Sequence, residues 1–500
     1  MNMKKRFKPK KNDNSHIIKV RPKLDWSEYQ KSIFRNVFSG TGNTAVIARA
    51  GSSKTTSLVE AIRYVPKGKK VLVAAFNVKI ADELKSRVSK KYDVATLHSL
   101  GFQAIKQRFG NVELDNKKCF NIVSELLGDV EFEVVTEICR AVSLCKSSLS
   151  DVPSKIIDLI DKYDIEYSPF EINKFVSIII QVLGLCKKKT NIIDYDDMIY
   201  FPFVYNINIG KWDAIFIDEA QDMSYSMLIM ALSAAREGSR IFIFLDDRQA
   251  IYGFRGCDIE SVNSILTRLN PTKLSLPISY RCPQNVVRLA QKIVPDIQVA
   301  PNAIEGNVEN MLLEDMLKVV KCGDYIISRT NAPLVKLCLS LLRNNIPANI
   351  QGRDIGSNLL YFIKKSKAKT IDKFIEYLER WKEAEIKRLT AEKKDLSICV
   401  DKAETLSSLC EDCLSIKDLK SKIEKLFDDK DDKNRVLLGT THKLKGTEAD
   451  NVFLLRWTYR PSCEGQESNV YYVGITRARK NLYLVYRDKK YVQNNQINGY

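Results

Sequence analysis

Val46–Glu60, VIARAGSSKTTSLVE, reads as strand, loop and helix in immediate succession. Val46 and Ile47 close an apolar strand. Ala48-Arg49-Ala50-Gly51-Ser52-Ser53 is a run of mostly small residues, and Lys54-Thr55 opens a helix whose apolar positions include Leu58, Val59 and Ile62. This is the layout of a phosphate-binding loop. Backbone N–H groups at a helix start point at an anion, and the helix dipole adds to their field. Lys54 is placed to reach the terminal phosphates of a nucleotide, Thr55 and Thr56 to line the loop's exit, and the Thr55 hydroxyl to serve Mg²⁺. The general pattern G-x-x-x-x-G-K-[ST] has glycine at both ends of the loop; here Ala48 and Ser53 stand there, with Gly51 between. An ordinary strand–loop–helix with an exposed lysine is the alternative, and the rest of the chain decides.

Downstream, Ile215-Phe216-Ile217-Asp218-Glu219-Ala220-Gln221-Asp222 ends a second apolar run in carboxylates. The carboxyl end of a buried parallel strand is where α/β sheets bind ligands. Asp218 is placed to hold Mg²⁺, and Glu219 to polarise the water that attacks a γ-phosphate. A helix start decorated with acids is the bland reading of the same residues.

Further strands at Lys70–Phe76, Val94–Leu97, Trp212–Ile217 and Arg240–Leu245 alternate with helical patterns, which implies a parallel α/β sheet. A second such pattern has strands near Thr272–Leu276, Gly323–Ser328, Ala348–Gln351, Val436–Gly439, Asn451–Leu455 and Asn481–Tyr486. Two stretches lack strand signal and read as helical blocks. The expected organisation is a basic disordered tail (residues 1–24), a first α/β domain (25–105 and 190–273) with a helical insertion (106–189), and a second α/β domain (274–355 and 435–500) with a charged helical insertion or coiled-coil arm (356–434).

The 500 residues exceed one core. Net charge is +18, which favours a polyanion partner, nucleic acid first. Residues 1–23 carry nine Lys/Arg and one Asp. No apolar run approaches the ~20 residues of a membrane helix, and no signal-peptide pattern opens the chain. No membrane partner is expected, and the expected location is cytoplasmic, or nuclear in a eukaryotic or viral setting. Twelve scattered cysteines give a single C-x-x-C, Cys410-Glu411-Asp412-Cys413, and reduced thiols are the expectation.

A phosphate loop followed by Asp218-Glu219-Ala220-Gln221-Asp222 resembles the superfamily 1 helicases of the UvrD/Rep type. Further motifs come in that family's order. Tyr29-Gln30 resembles the adenine-reading Q motif, and Ala75-Phe76-Asn77 with Ala81-Asp82-Glu83-Leu84 resembles motif Ia. Thr96-Leu97-His98-Ser99-Leu100-Gly101 is similar to motif Ib, and Asp246–Gly256, DDRQAIYGFRG, to motif III. Ser279-Tyr280-Arg281-Cys282-Pro283, Thr441–Glu448 (THKLKGTE) and Tyr472–Arg479 (YVGITRAR) resemble motifs IV, V and VI. The likeness spans about residues 25–485, with echoes such as Arg329–Pro333 of small phage- or plasmid-type members.

The resemblance implies a fold, an activity and a set of site residues. The fold would be α/β, two RecA-like parallel-sheet domains, each with a helical insertion. The activity would be an ATP-dependent DNA helicase or translocase, 3′→5′ on single-stranded DNA, in replication, repair or recombination, with ATP and Mg²⁺. Gln30 would read the adenine edge and Tyr280 stack on its face. Ala48–Thr56 and Glu448 would line the nucleotide. Gln249 would sense the γ-phosphate, and Arg281 and Arg477 would be arginine fingers, a role suited to a guanidinium that stays charged and grips phosphate bidentately. Phe76, Asn77, Thr96, His98, Tyr252, Phe254, Arg255 and His442 would meet single-stranded DNA or single/double-strand junctions; stacking tolerates any base sequence. Protein partners stay open. Phe254 stands where the family commonly has tryptophan. An ATP-switched single-stranded nucleic-acid-binding protein with weak catalysis is the alternative, and an RNA-directed motor a third reading. Ser53 carries two readings: backbone strain if the position needs positive φ, or a hydroxyl that hydrogen-bonds phosphate.

Overall fold

The computed structural model describes residues 25–128, 130–252, 259–391, 395–427, 434–460 and 465–489. The basic tail, and Phe254 and Arg255, lie outside the described residues.

The first domain opens with α1 (Glu28–Ser39), whose Ser27 and Gln30 form a reciprocal capping box. Then come β1 (Thr44–Ala48), α2 (Lys54–Ala61), β2 (Val71–Ala75), α3 (Val78–Arg87), β3 (Asp93–Thr96) and α4 (Leu97–Phe109). After an insertion, the domain resumes with α9 (Tyr195–Val204), β6 (Trp212–Ile217), α10 (Tyr225–Ser233), β7 (Ala235–Leu245), α11 (Ile259–Leu269) and β8 (Thr272–Leu276). The sheet is six-stranded and parallel, in the order β3-β2-β6-β7-β1-β8. Its strands are apolar on both faces because helices cover both. Ile241, Ile243 and Leu245 of β7 face one core, and Phe242 and Phe244 the other. On β6, Ile215 and Ile217 face the first core and Phe216 the second, stacking on Phe242 at 4.5 Å.

Thr272–Leu276, expected in the second α/β unit, belongs instead to the first sheet. That strand pairs in register with β1, from Thr44↔Thr272 to Ala48↔Leu276. Its single buried side chain at Leu276 suits an edge strand, which has a neighbour on one side only.

The first insertion comprises α5 (Lys118–Leu127), α6 (Phe132–Ser148), α7 (Pro153–Lys162) and α8 (Ile172–Lys188), framed by the two-residue pair β4 (Glu113–Leu114) and β5 (Ile192–Ile193). It builds its own core, from Ile122 through Phe175 to Cys186. Two buried lysines anchor its base: Lys118 pairs with Asp197 at 2.6 Å, and Lys146 with Asp194 and Asp197 at 2.8 Å each.

The second domain repeats the plan. Its parallel sheet runs β11 (Asn307–Leu312), β16 (Ala478–Tyr486), β15 (Ala449–Leu455), β12 (Tyr325–Ser328), β14 (Val436–Thr440), β13 (Ala348–Ile350). A short pair, β9 (Ile278–Ser279) with β10 (Gln298–Val299), flanks α12 (Gln284–Gln291), and a helix over Gln466–Ile475 precedes β16. The second insertion does not project as a coiled-coil arm. Its helices Arg353–Lys365, Ile371–Ala391, Ser397–Cys410 and Ile416–Leu426 put Phe362, Phe374, Leu406, Leu409 and Ile423 into the same core as Ile326 and Leu438 of the sheet. Its charged residues therefore mark the solvent side of an amphipathic layer. Among the described residues, no helix is long and apolar enough to cross a membrane.

Candidate functional site

The carboxyl ends of β1, β6 and β7 meet at one cleft, where the chain leaves β1 for α2 and crosses to the other side of the sheet. β1 delivers the loop Arg49–Ser53, β6 delivers Asp218 and Glu219, and β7 delivers Asp246 and Asp247.

The loop is left-handed twice in three residues, at Gly51 (φ 73°) and Ser53 (φ 58°). Glycine is required at 51 for a second reason: a Cβ there would lie 2.6 Å from Arg281 Cβ and 2.7 Å from Ser279 Oγ. A side chain at 53 costs roughly 1–2 kcal/mol in this conformation. Ser53 makes no side-chain cap to α2. The first N–H groups of that helix have no intrahelical acceptor and face outward at its start.

At the head of α2, Lys54 Nζ lies 2.5 Å from Glu219 Oε2 and 3.8 Å from Asp218 Oδ1. Thr55 Oγ1 donates to Asp218 Oδ2 at 2.7 Å, and the Glu219 N–H donates to Asp218 Oδ1 at 3.0 Å. Glu219 is itself held at φ 55°. Gln221 braces it, donating its amide to Glu219 Oε2 and accepting the Asp246 N–H through Oε1 at 3.1 Å. Gln249 donates to Asp246 Oδ2 at 2.7 Å. Strain at two non-glycine positions of one cleft is a feature of functional sites, where the surroundings over-determine the backbone.

Electrostatics separate these carboxyls. Burial pushes Glu219 up, but Lys54 and Lys445 outweigh it and hold the carboxyl at about 2. Burial wins at Asp218, which is raised despite Lys54. Asp222 and Asp246 are pushed up to about 6 by burial, against the pull of Lys445 and Arg49 respectively. Lys54 is raised, its burial outweighed by Glu219 and Asp218.

From the second domain, Arg281 comes against the loop, its Cβ 2.6 Å from where a Cβ on Gly51 would stand, and Arg477 lies beside Arg281. Arg281 Nε pairs with Glu448, whose other oxygen lies 3.6 Å from Arg479. Arg477 is 2 % exposed and donates to Val473 O (2.8 Å), Thr447 O (3.1 Å) and Thr476 Oγ1 (3.4 Å). Burial, with Arg281 beside it, lowers it to about 10, so it remains a cation at neutral pH. Tyr280 is 45 % exposed.

Other predicted nucleotide residues have their side chains engaged elsewhere. Gln30 is buried, donates to Ser57 Oγ at 2.9 Å and accepts from Ser27. Thr56 Oγ1 accepts from Arg87 at 2.8 Å. Arg49 holds three carboxylates: Asp247 at 2.6 Å, Asp246 at 3.4 Å and Asp296 at 2.7 Å. The Ser52 hydroxyl is buried, with no protein partner among the described residues, and the Ala48 and Ala50 side chains are also buried.

The described nucleic-acid candidates fall into two groups, Phe76, Asn77, Thr96 and His98 after β2 and β3, and Tyr252 with His442. Phe76 follows β2 and is half-buried. Asn77 caps α3, accepting the Ile80 N–H at 2.9 Å, and Thr96 caps α4, accepting the Ser99 N–H at 3.0 Å. Tyr252 Oη donates to His442 O at 3.2 Å, and its ring carries Lys445 Nζ 4.6 Å from the centroid. Burial lowers both His98 and His442, the latter to about 4.

Several residues of the site escape a reading of the sequence. Lys445 crosses between domains to Asp222 (2.7 Å) and to Gln249 O (2.8 Å). Tyr472 Oη accepts the Ala50 N–H at 2.9 Å. Tyr195 is exposed and sits edge-on to His98 at 6.4 Å. Lys445 and Tyr472 lie inside quoted motifs, but their partners are hundreds of residues away. Tyr195, at the start of a helix capped by Asp194, carries no signal beyond its type.

Comparison with known proteins agrees with this geometry. The UvrD/REP helicase N-terminal domain matches residues 29–269, and the UvrD-like helicase C-terminal domain matches residues 382–489. The F-box DNA helicase protein 1 of Schizosaccharomyces pombe is 27% identical over 88% of this chain and 55% of its own length. The ATP-dependent DNA helicase Rep of Buchnera aphidicola subsp. Acyrthosiphon pisum is 23% identical over 90% of this chain and 93% of its own. The Rep protein of Buchnera aphidicola subsp. Baizongia pistaciae is 24% identical over 54% of this chain and 43% of its own. The chain thus spans about half the length of the S. pombe and Baizongia relatives. With both halves of one family's pattern matched in order, the chain belongs to the UvrD-like helicase family.

Proposed function

We propose that the protein is an ATP-dependent DNA helicase or translocase that moves 3′→5′ along single-stranded DNA and engages single/double-strand junctions. Its proposed setting is intracellular DNA replication, repair or recombination. The observation that supports this most is the meeting of Lys54, Thr55, Asp218 and Glu219 in one cleft, beside a phosphate loop that Arg281 of the other domain abuts.

The roles come from the chemistry. Lys54, now paired with Glu219, would exchange that partner for phosphate oxygens. Glu219, ionised at neutral pH, would accept a proton from the attacking water and orient it. Gln249, tied to Asp246, would register the γ-phosphate. Thr55 and Asp218 fit Mg²⁺: both offer hard oxygens, and a carboxylate this buried gains from a cation beside it. The ion would neutralise charge on the phosphates. Arg281 and Arg477 would complete the cleft only when the domains close, which couples hydrolysis to movement. Tyr280 would stack on the adenine. Gln30 would have to leave Ser57 to read its edge. On the DNA face, Phe76, Tyr252 and Phe254 would stack on bases at roughly 1–3 kcal/mol each. The deciding experiment is ATP turnover alone, with single-stranded DNA and with RNA. Turnover that DNA does not raise would reject the motor.

Ser53→Gly should relieve the left-handed strain and tighten a nonhydrolysable ATP analogue by up to about tenfold. Weaker binding by the glycine form would make the hydroxyl a ligand. A wild type without turnover that Ser53→Gly restores would favour the ATP-switched binder.

Turnover should also depend on pH. Asp222 and Asp246, at about 6, gain protons between pH 7 and 5, while Glu219, at about 2, does not. Protonation breaks the Lys445–Asp222 ion pair, leaving Lys445 on Gln249 O, and alters the anchor of Gln249. Turnover at saturating ATP should therefore fall with a midpoint near 6. A limb near the ordinary carboxylate value of ~4 would instead indicate a base without these neighbours.

A further inference from the structure

The phosphate loop is bound to both domains, and the two halves of the loop are bound differently. Its second half continues into α2 and the first domain. Its first half is held by the second domain at three successive residues. Arg49 makes a bidentate contact to Asp296, with Nε 2.8 Å from Oδ1 and Nη2 2.7 Å from Oδ2. The Ala50 N–H donates to Tyr472 Oη at 2.9 Å, and the Ala50 methyl is part of the second domain's core, with Cys282, Val286 and Val473. Gly51 O accepts the Tyr280 N–H at 2.9 Å. Between the two halves lie the left-handed residues Gly51 and Ser53.

A displacement of the second domain therefore pulls on the loop at its two least favourable backbone positions. Tyr280 and Tyr472 are also tied to the core or the cleft. Asp296 is not: its side chain is 58 % exposed, in the turn between α12 and β10, and its described contact to the loop is Arg49 alone. Arg49 is buried and keeps Asp246 and Asp247 on the first-domain side. The Arg49–Asp296 pair is thus a strut with one foot in each domain, and a fork-to-carboxylate contact fixes orientation as well as distance.

We propose that Asp296 is a positioning residue: through Arg49 it ties the phosphate loop to the second domain, so that nucleotide affinity follows the position of that domain. This rests on the proposed ATP and single-stranded DNA binding. DNA that moves the second domain then changes the loop directly, in addition to moving the arginines. By linkage, ATP changes DNA affinity by the same factor.

The test is equilibrium binding of a nonhydrolysable ATP analogue to the full chain, with and without a saturating oligothymidylate, for wild type, Asp296→Ala and Asp296→Glu. The ratio of the two dissociation constants is the coupling factor, typically about fivefold or more where coupling exists. Asp296→Ala should weaken the analogue severalfold without DNA and cut the coupling factor at least about twofold, the Tyr280, Tyr472 and arginine contacts keeping the remainder. Asp296→Glu, which keeps the carboxylate, should restore most of it. Turnover at saturating ATP should change less than twofold, because Asp296 touches none of the phosphate-facing groups. A coupling factor equal to wild type in Asp296→Ala overturns the inference and leaves the motor reading intact. A wild type that binds neither analogue nor oligonucleotide overturns both.

Discussion

Glu219→Gln is expected to lower DNA-stimulated ATP turnover about 10³-fold while nucleotide affinity stays within about threefold of wild type. The substitution keeps size and shape. It keeps an oxygen for the Gln221 amide, so the brace to Asp246 can persist. What it removes is the negative charge that Lys54 and Lys445 hold ionised down to a pH of about 2. Without that charge no group at this position can take a proton from water. Lys54→Ala is the contrast. It also abolishes turnover, but it removes the cation that would grip the phosphates and should weaken nucleotide binding as well. Steady-state turnover with saturating single-stranded DNA, beside titration of a nonhydrolysable analogue, separates the two. Normal stimulated turnover by the purified Glu219→Gln protein would reject Glu219 as the base.

The contrast works because the two residues have separate origins in the chain. Lys54 comes from the loop after β1, Glu219 from the end of β6, and they meet at 2.5 Å. Both were legible in the sequence because each sits in a local pattern: an apolar strand followed by small residues, and an apolar strand followed by acids. The burial of β6 and β7 on both faces was legible as continuous apolar runs. Longer-range properties were not. Thr272–Leu276 is plainly a strand, but which sheet it joins depends on where the edge beside β1 is open. Arg49 stands in a loop that promises phosphate contacts, yet its guanidinium is taken by carboxylates 197 to 247 residues away. The second insertion reads as a charged arm because charge is visible along a chain, whereas the apolar stripe that joins it to the sheet core becomes evident only once the helices are placed. Ser53 lies between these cases. Its substitution for glycine raised the question of positive φ, and the backbone value of 58° answers it.

Arg477 is the residue whose behaviour least resembles a structural side chain, and Arg477→Lys is expected to lower turnover by about 10³-fold. A buried cation is ordinarily matched by a carboxylate, because removing a charge from water is expensive. Arg477 is buried to 2 % exposure, yet among the described residues its partners are two carbonyl oxygens and one hydroxyl. Burial and the neighbouring Arg281 already lower its proton affinity, to about 10. The proposed role would give this cation an anion that the described residues do not pair with it, and a γ-phosphate has the oxygens to match its planar fork. Lysine would keep the charge and much of the stem but lose the fork and two of the three contacts. If the arginine served the fold alone, lysine would cost stability and leave turnover per folded molecule nearly normal. The proposed role predicts the reverse. The thermal midpoint should move by only a few degrees, the analogue should bind within about tenfold of wild type, and turnover should collapse. Turnover within tenfold of wild type, in a protein whose melting is unchanged, would leave Arg281 as the sole arginine acting on the phosphates.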